Sequence, residues 1–266
     1  MLNNEIYEEY FLNASISTFS INIGGFVSKC GGIDISSNCV FPIYEKNDSQ
    51  IDKKISEIEN FLLEKDIVPI YRIVYQDNYQ KLDRVLFNKH YEKVANNIVL
   101  ACPLQGKKNE LFKFADFNES GIYIDTEITG GDGFLEDYFY LRKISKNDQI
   151  IFNTAIDICP LKKYSASLLE EGHLIGQAYF IRQGDVVIIK DIVISTKYRG
   201  LGYSSKILYS ILTYCLKNGA ELVIAEIPTD NENVMNLFGN NPMFFKLYDI
   251  FYRQLIKNTK GRFIFD

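Results

Sequence analysis

Apolar positions change period several times along the 266-residue chain, and each change marks an element. Residues 49–65, SQIDKKISEIENFLLEK, set Ile51, Ile55, Ile58, Phe61 and Leu62 three or four apart, which predicts a helix with Ser49 as its N-cap. A strand follows over 68–75, then a helix over 78–91 that turns Leu82, Val85 and Leu86 inward, then a strand over 93–104. Upstream, residues 24–43 alternate in places and carry two glycine pairs, the mark of strands joined by a tight turn. Residues 105–120 hold no strong pattern and read as the connection between two halves.

The second half begins with an alternating strand over 121–129 and two helical segments, 133–144 and 147–157. Residues 164–194 read as three strands separated by EEGH and RQGD, two turns of the hairpin kind. A glycine loop comes next, within STKYRGLGYSSKIL (195–208), and then a helix in which Ile207, Leu208, Ile211, Leu212, Cys215 and Leu216 share one face. KNG closes that helix, with Gly219 as a left-handed cap. A strand over 221–227, a helix from about Asn231 and a terminal strand, FFKLYDIFYRQLI, complete the pattern. Strand, glycine loop, helix and strand make a parallel crossover, right-handed by default. The expected fold class is α/β with a mixed sheet, in two domains, 1–115 and 116–266.

Composition narrows the function. The chain is 47% hydrophobic, enough for a sizeable core, and its formal net charge is −5 without a cluster of Lys and Arg. That argues against a nucleic-acid partner. Five scattered cysteines with no CxxC pair suit a reduced, cytoplasmic protein, and two distant histidines make a metal site improbable. The start, MLNNEIYEEYF, is acidic and polar rather than a signal peptide, and no apolar run approaches the roughly 20 residues that span a membrane.

The chemistry sits in the glycine loop. The first N–H groups of a helix lack internal partners and carry partial positive charge, so a helix start suits an anion. Gly200 and Gly202 lie at that start, with Arg199 and the Ser204 and Ser205 hydroxyls beside them. A Walker loop would need a lysine that is absent, and a dinucleotide fingerprint would need glycine where Ser205 stands. A glycine turn with no ligand stays open on this pattern alone.

IVISTKYRGLGYSSKIL (192–208) resembles the central motif of the GNAT (Gcn5-related N-acetyltransferase) superfamily, whose loop reads [RQ]xxGx[GA]. IPTDNENVMNLF (227–238) resembles the later motif N-x-x-A-x-x-L-Y through Asn231, Val234 and Leu237. The resemblance covers the second half. A looser one, through CGGIDISSNCVFPI and IENFLLEKDIVPIYRI, makes the first half look like the N-terminal part of a two-part bacterial subgroup. It implies acetyl-CoA or another acyl-CoA as co-substrate, no metal, and transfer by direct attack to an amine of a small molecule or peptide. No membrane partner is expected from the apolar runs, and a homodimer is a further expectation. Ile192 and Ile194, flanking Val193, would pair with the pantetheine arm as an added strand would. N–H groups across Gly200, Leu201, Gly202, Tyr203 and Ser204, with Ser205, would hold the pyrophosphate, and Asn231 would reach the arm.

One position departs from the family. Phe238 stands near the sulfur where the family often has a tyrosine, and phenylalanine donates no proton. Asp191 and Glu226 remain as candidate bases, and Tyr252, which shares a strand face with Tyr248, as a candidate acid. A CoA-binding module without catalysis is the alternative. In the first half the corresponding link, YEKNDSQ (44–50), has two acids and no glycine, so that half is expected to bind no CoA and to wall the acceptor cleft or serve as scaffold.

Overall fold

The computed structural model describes residues 4–44, 46, 49–113 and 121–256. They form two compact units. The first comprises Met1–Ile98, Pro228–Asp230 and Tyr248–Asp266, and the second Val99–Ile227 and Asn231–Leu247. The chain therefore parts at 98/99 instead of 115/116, and its end returns to the first unit. Both differences come from long strands that sequence patterning treats as belonging to one half each.

The first unit opens with a helix, α1 (Asn4–Asn13), and three strands, β1 (Phe19–Ile23), β2 (Phe26–Cys30) and β3 (Val40–Pro42). Helix α2 (Ile51–Leu63), strand β4 (Ile70–Val74), helix α3 (Gln80–Asn88) and the first part of β5 (Tyr91–Pro103) follow. With the last strand of the chain, β11 (Phe245–Leu255), the order is β1-β2-β3-β4-β11-β5. α2 buries Ile51, Ile55, Ile58 and Leu62 as its spacing predicts. Its N-cap is Gln50, whose side chain makes no cap bond, and not Ser49. α1 was not legible as a helix. It buries Tyr7, Phe11 and an acid, Glu8. The acid is stable there because Arg72, fully buried on β4, meets it through Nε at 2.6 Å and Nη2 at 2.9 Å, and a buried charge needs such a partner.

The second unit takes the rest of β5, helix α4 (Lys108–Lys113), strand β6 (Ile122–Thr126) and helices α5 (Gly133–Arg142) and α6 (Lys146–Ile158). Strands β7 (Lys162–Glu170), β8 (His173–Gln183) and β9 (Val186–Ile194) are joined by tight turns. Helix α7 (Tyr203–Lys217), strand β10 (Leu222–Pro228) and a short helix, α8 (Glu232–Val234), follow. The strand order is β5-β10-β9-β8-β7-β6. β7, β8 and β9 are antiparallel neighbours, while β9 and β10 run parallel across α7. α7 buries Ile207, Leu208, Ile211, Leu212 and Cys215, the face its period predicts. Gly219 closes it at φ +74°, and the Arg182 guanidinium donates to the carbonyls of Asn218 and Gly219. The helix expected from Asn231 is only α8 followed by a π-turn over Met235–Gly239.

Candidate functional site

β9 and β10 pair only from Leu222↔Val186 to Ala225↔Ile189. Beyond that point β9 runs on to Ile194 beside β8 alone, after a bulge that leaves Lys190 without an opposite residue. Ser195 N–H donates to the Ile175 carbonyl at 2.9 Å, and Ile194 lies opposite Gly176. In an antiparallel ladder, bonded and non-bonded pairs alternate. Residues 191, 193 and 195 thus bond toward β8, and Ile192 and Ile194 turn their N–H and C=O groups to the other edge.

A cavity of about 540 Å³ lies along that edge. One wall is Asp191 to Ile194, one end is the loop with Arg199, Gly200, Gly202, Tyr203, Ser204 and Ser205, and Asn231 and Leu237 stand on the far side. Gly200 and Gly202 hold φ +78° and +82°, and a Cβ on either would meet nothing within 4 Å. Their glycine character is therefore a matter of backbone conformation. Gly202 is the N-cap of α7. Arg199 donates from Nε to the Ile194 carbonyl at 3.1 Å, tying the loop to the end of β9. The Tyr203 hydroxyl donates to Glu170 Oε2 at 2.7 Å, and this bond raises its pKa.

The other sequence candidates separate. Asp191 lines the cavity, and its Oδ2 accepts from the Tyr138 hydroxyl at 2.8 Å and from Arg142 Nε at 3.0 Å. Asn231 lines it too, and its side-chain oxygen caps α8 by accepting from Val234 N–H at 3.2 Å. Leu201 is 65% exposed and is not among the lining residues. Phe238 is buried against Phe244, ring centroids 5.4 Å apart, and lies outside the lining. Glu226 is half-buried on β10, also outside it. Tyr252 belongs to the first unit, where it is fully buried and its hydroxyl accepts from Arg72 Nη1 at 2.8 Å. Tyr248 donates there to Glu8. The cavity thus gathers Asp191, Asn231 and the loop, while neither Glu226 nor Phe238 is among its lining residues and Tyr252 belongs to the first unit. Sequence reading missed Tyr198, which stands beside Arg199 in the loop, and Arg142 and Tyr138, which carry no motif and are linked to the site only through folding.

A helix start with two positive-φ glycines, continuous with an open strand edge, is an arrangement suited to an anionic group. Residues 134–240 match the model of the acetyltransferase (GNAT) family, so this segment of the chain is a GNAT domain. Solved structures agree in fold. The chain is similar to a GCN5-related N-acetyltransferase from Kribbella flavida (TM-score 0.63, 12% identity, 94% of each chain covered). It is similar to a functionally unknown conserved protein from Staphylococcus epidermidis (0.61, 10% identity, covering 92% of this chain and 96% of that one). It is also similar to a tandem GNAT protein from the clavulanic acid biosynthesis pathway (0.58, 14% identity, covering 78% and 70%). No curated protein matches the chain significantly in sequence. Among the described residues, no helix is long and apolar enough to cross a membrane, and no group of three or more His, Cys, Asp or Glu could hold a metal ion.

Proposed function

We propose that the protein is an N-acetyltransferase that moves an acetyl group from acetyl-CoA to an amine of a small molecule or peptide by direct attack. The observation that carries this reading is the single cavity that joins the edge groups of Ile192 and Ile194 to the glycine loop. It fits the co-substrate of the GNAT family: a strand-like amide arm for the edge and a pyrophosphate for the N–H groups of the loop. Bound there, acetyl-CoA supplies a thioester whose acyl group passes to the amine, a C–N bond replacing the C–S bond.

The chain's own residues do the rest. Ile192 and Ile194 align the arm, the loop from Gly200 to Ser205 fixes the phosphate end, and Asn231 bounds the far wall. Asp191 is the carboxylate at the cavity and takes the proton of the amine, directly or through water. Phe238 donates nothing, and Tyr252 is assigned no part. A thiol, with a reference pKa of about 8.5, leaves without a strong acid. Asp191→Asn is expected to lower thiol release from acetyl-CoA about 10²-fold or more while CoA still binds. Unchanged turnover would remove Asp191 from the mechanism, and failure of wild-type protein to bind CoA would remove the whole reading.

A further inference from the structure

The end of the cavity away from the loop is marked by one ion pair. Arg142, in the last turn of α5, donates from Nε to Asp191 Oδ2, and the Tyr138 hydroxyl donates to the same oxygen. Tyr138 is held in a nest of rings, edge-on to Tyr179 at 5.5 Å and tilted against Phe152 at 6.1 Å. The Arg142 side chain is nevertheless 44% exposed and lines the cavity.

Charge makes this pair informative. Among the described residues, the cavity is lined by two guanidinium groups, Arg142 and Arg199, and by one carboxylate, Asp191, in a chain of net charge −5. Its sign is opposite to that of the protein. Arg199 is tied to Ile194 and Arg142 to Asp191, three residues earlier on β9. At about 3.3 Å per residue the two anchor points lie roughly 10 Å apart along the strand. The phosphate end of the co-substrate answers for the cation at the loop. At the other end the Arg142–Asp191 pair sets both charges side by side on the cavity.

We propose that the acceptor is an amine that also carries a carboxylate, of the amino-acid kind, and that Arg142 selects it. This rests on the acetyl-CoA reading above. The Arg–Asp pair is complementary to such a zwitterion: guanidinium to carboxylate, Asp191 to amine. A planar fork of five donors serves Asp191 through Nε and a ligand carboxylate through another edge, which a lysine's point charge does not reproduce. Asp191 and Tyr138 hold the fork in place before the ligand arrives, which reduces the ordering cost of binding.

The test uses the full chain. Thiol release from acetyl-CoA is measured with each L-amino acid against its carboxamide, and calorimetry follows binding of the same compounds to protein saturated with CoA. At least one amino acid is expected to be favoured about 10- to 100-fold over its amide, the range of a charge-assisted contact. Arg142→Ala should erase that preference, so that amino acid and amide reach the same kcat/KM and the same affinity, and Arg142→Lys should restore part of it. Arg142→Gln, closer in size, guards against a packing defect. The proposal is overturned if no compound is distinguished by its carboxylate in turnover or binding, or if the preference survives in Arg142→Ala. It is also overturned if succinyl-CoA is preferred to acetyl-CoA through Arg142, which would move the carboxylate to the acyl group. Calorimetry with CoA alone, run first, separates these outcomes from failure of the acetyl-CoA reading.

Discussion

Two crossovers in this chain have the same plan and different turns. In the second unit β9 leads through a loop into α7 and back to β10. In the first, β3 leads through residues 43–50 into α2 and back to β4, with β3 and β4 parallel at Val40↔Tyr71. Both helices bury an apolar face, which in α2 also takes in Lys54 and Glu59 and in α7 Ser210 and Thr213. At the start of α7, Gly202 is the N-cap at φ +82° and Gly200 stands at φ +78°. At the start of α2, Gln50 is the N-cap at φ −101°. A cavity of about 590 Å³ near that turn is lined by Glu5, Gly24, Gly25, Ile43 and Tyr44, and Glu5 pairs with the buried Lys46 at 2.8 Å. The acids of the link, Glu45 and Asp48, lie outside the described residues. Topology thus supplies a crossover twice. The residues at the two helix starts differ: two glycines at positive φ precede α7, and Gln50 precedes α2.

The largest expected effect breaks the first unit without touching the loop. Glu8→Ala would leave the fully buried Arg72 without its carboxylate, and removing one partner of such a pair costs about 3–5 kcal/mol. Urea denaturation should show that loss. A loss under about 1 kcal/mol would mean that water or another group replaces Glu8.

Phe238→Tyr sharpens the comparison from the second unit. Its hydroxyl would enter the packing around Phe244, at a cost of about 1–3 kcal/mol if no partner is found. Thiol release should not rise. A clear gain in turnover would show that position 238 reaches the reacting atoms after all.

Gly200→Ala and Gly202→Ala should each cost about 1–2 kcal/mol, because an L-residue is strained at positive φ although its Cβ meets no atom. Gln50→Ala, at the corresponding start of α2, should change stability by less than about 0.5 kcal/mol, since its side chain makes no cap bond. Equal losses at both turns would contradict the distinction drawn between them.

The smallest effect is in pH. Burial raises the thiols of Cys102 and Cys215 in the second unit to about 12 and that of Cys30 in the first to about 11, from an ordinary 9. The folded state therefore favours the protonated thiol. This contribution is complete below pH 9 and is lost as pH rises from 9 through the folded values. Cys102→Ser and Cys215→Ser should flatten the fall in stability above pH 9, measured by urea titration at each pH. An unchanged slope would assign the fall to other groups, the buried tyrosines first.

Much of the fold was legible because its helices and strands keep a clean period, α2 and α7 above all. α1 was not, because Glu8 reads as a solvent residue until Arg72, 64 positions away, neutralises it. Alternation put Tyr252 on a strand face but could not say that Arg72, 180 positions away, would claim its hydroxyl. The glycine turn between β9 and α7 was readable since glycine, arginine and small hydroxyls stand within a dozen residues, whereas an open edge on β9 was expected only from the family resemblance. Arg142 and Tyr138 were not, because they meet Asp191 only across about fifty residues of chain, and neither belongs to a local pattern.

The central claim is that the α7 turn, and not the α2 turn, holds the phosphate end of a CoA molecule. Calorimetric titration of CoA into the full-length wild type, Gly202→Glu and Gln50→Glu tests it most directly. The account predicts one site in wild type, loss of binding in Gly202→Glu through a fixed negative charge at the start of α7, and wild-type affinity in Gln50→Glu. Equal affinity in Gly202→Glu and wild type, or loss of binding in Gln50→Glu alone, would contradict it.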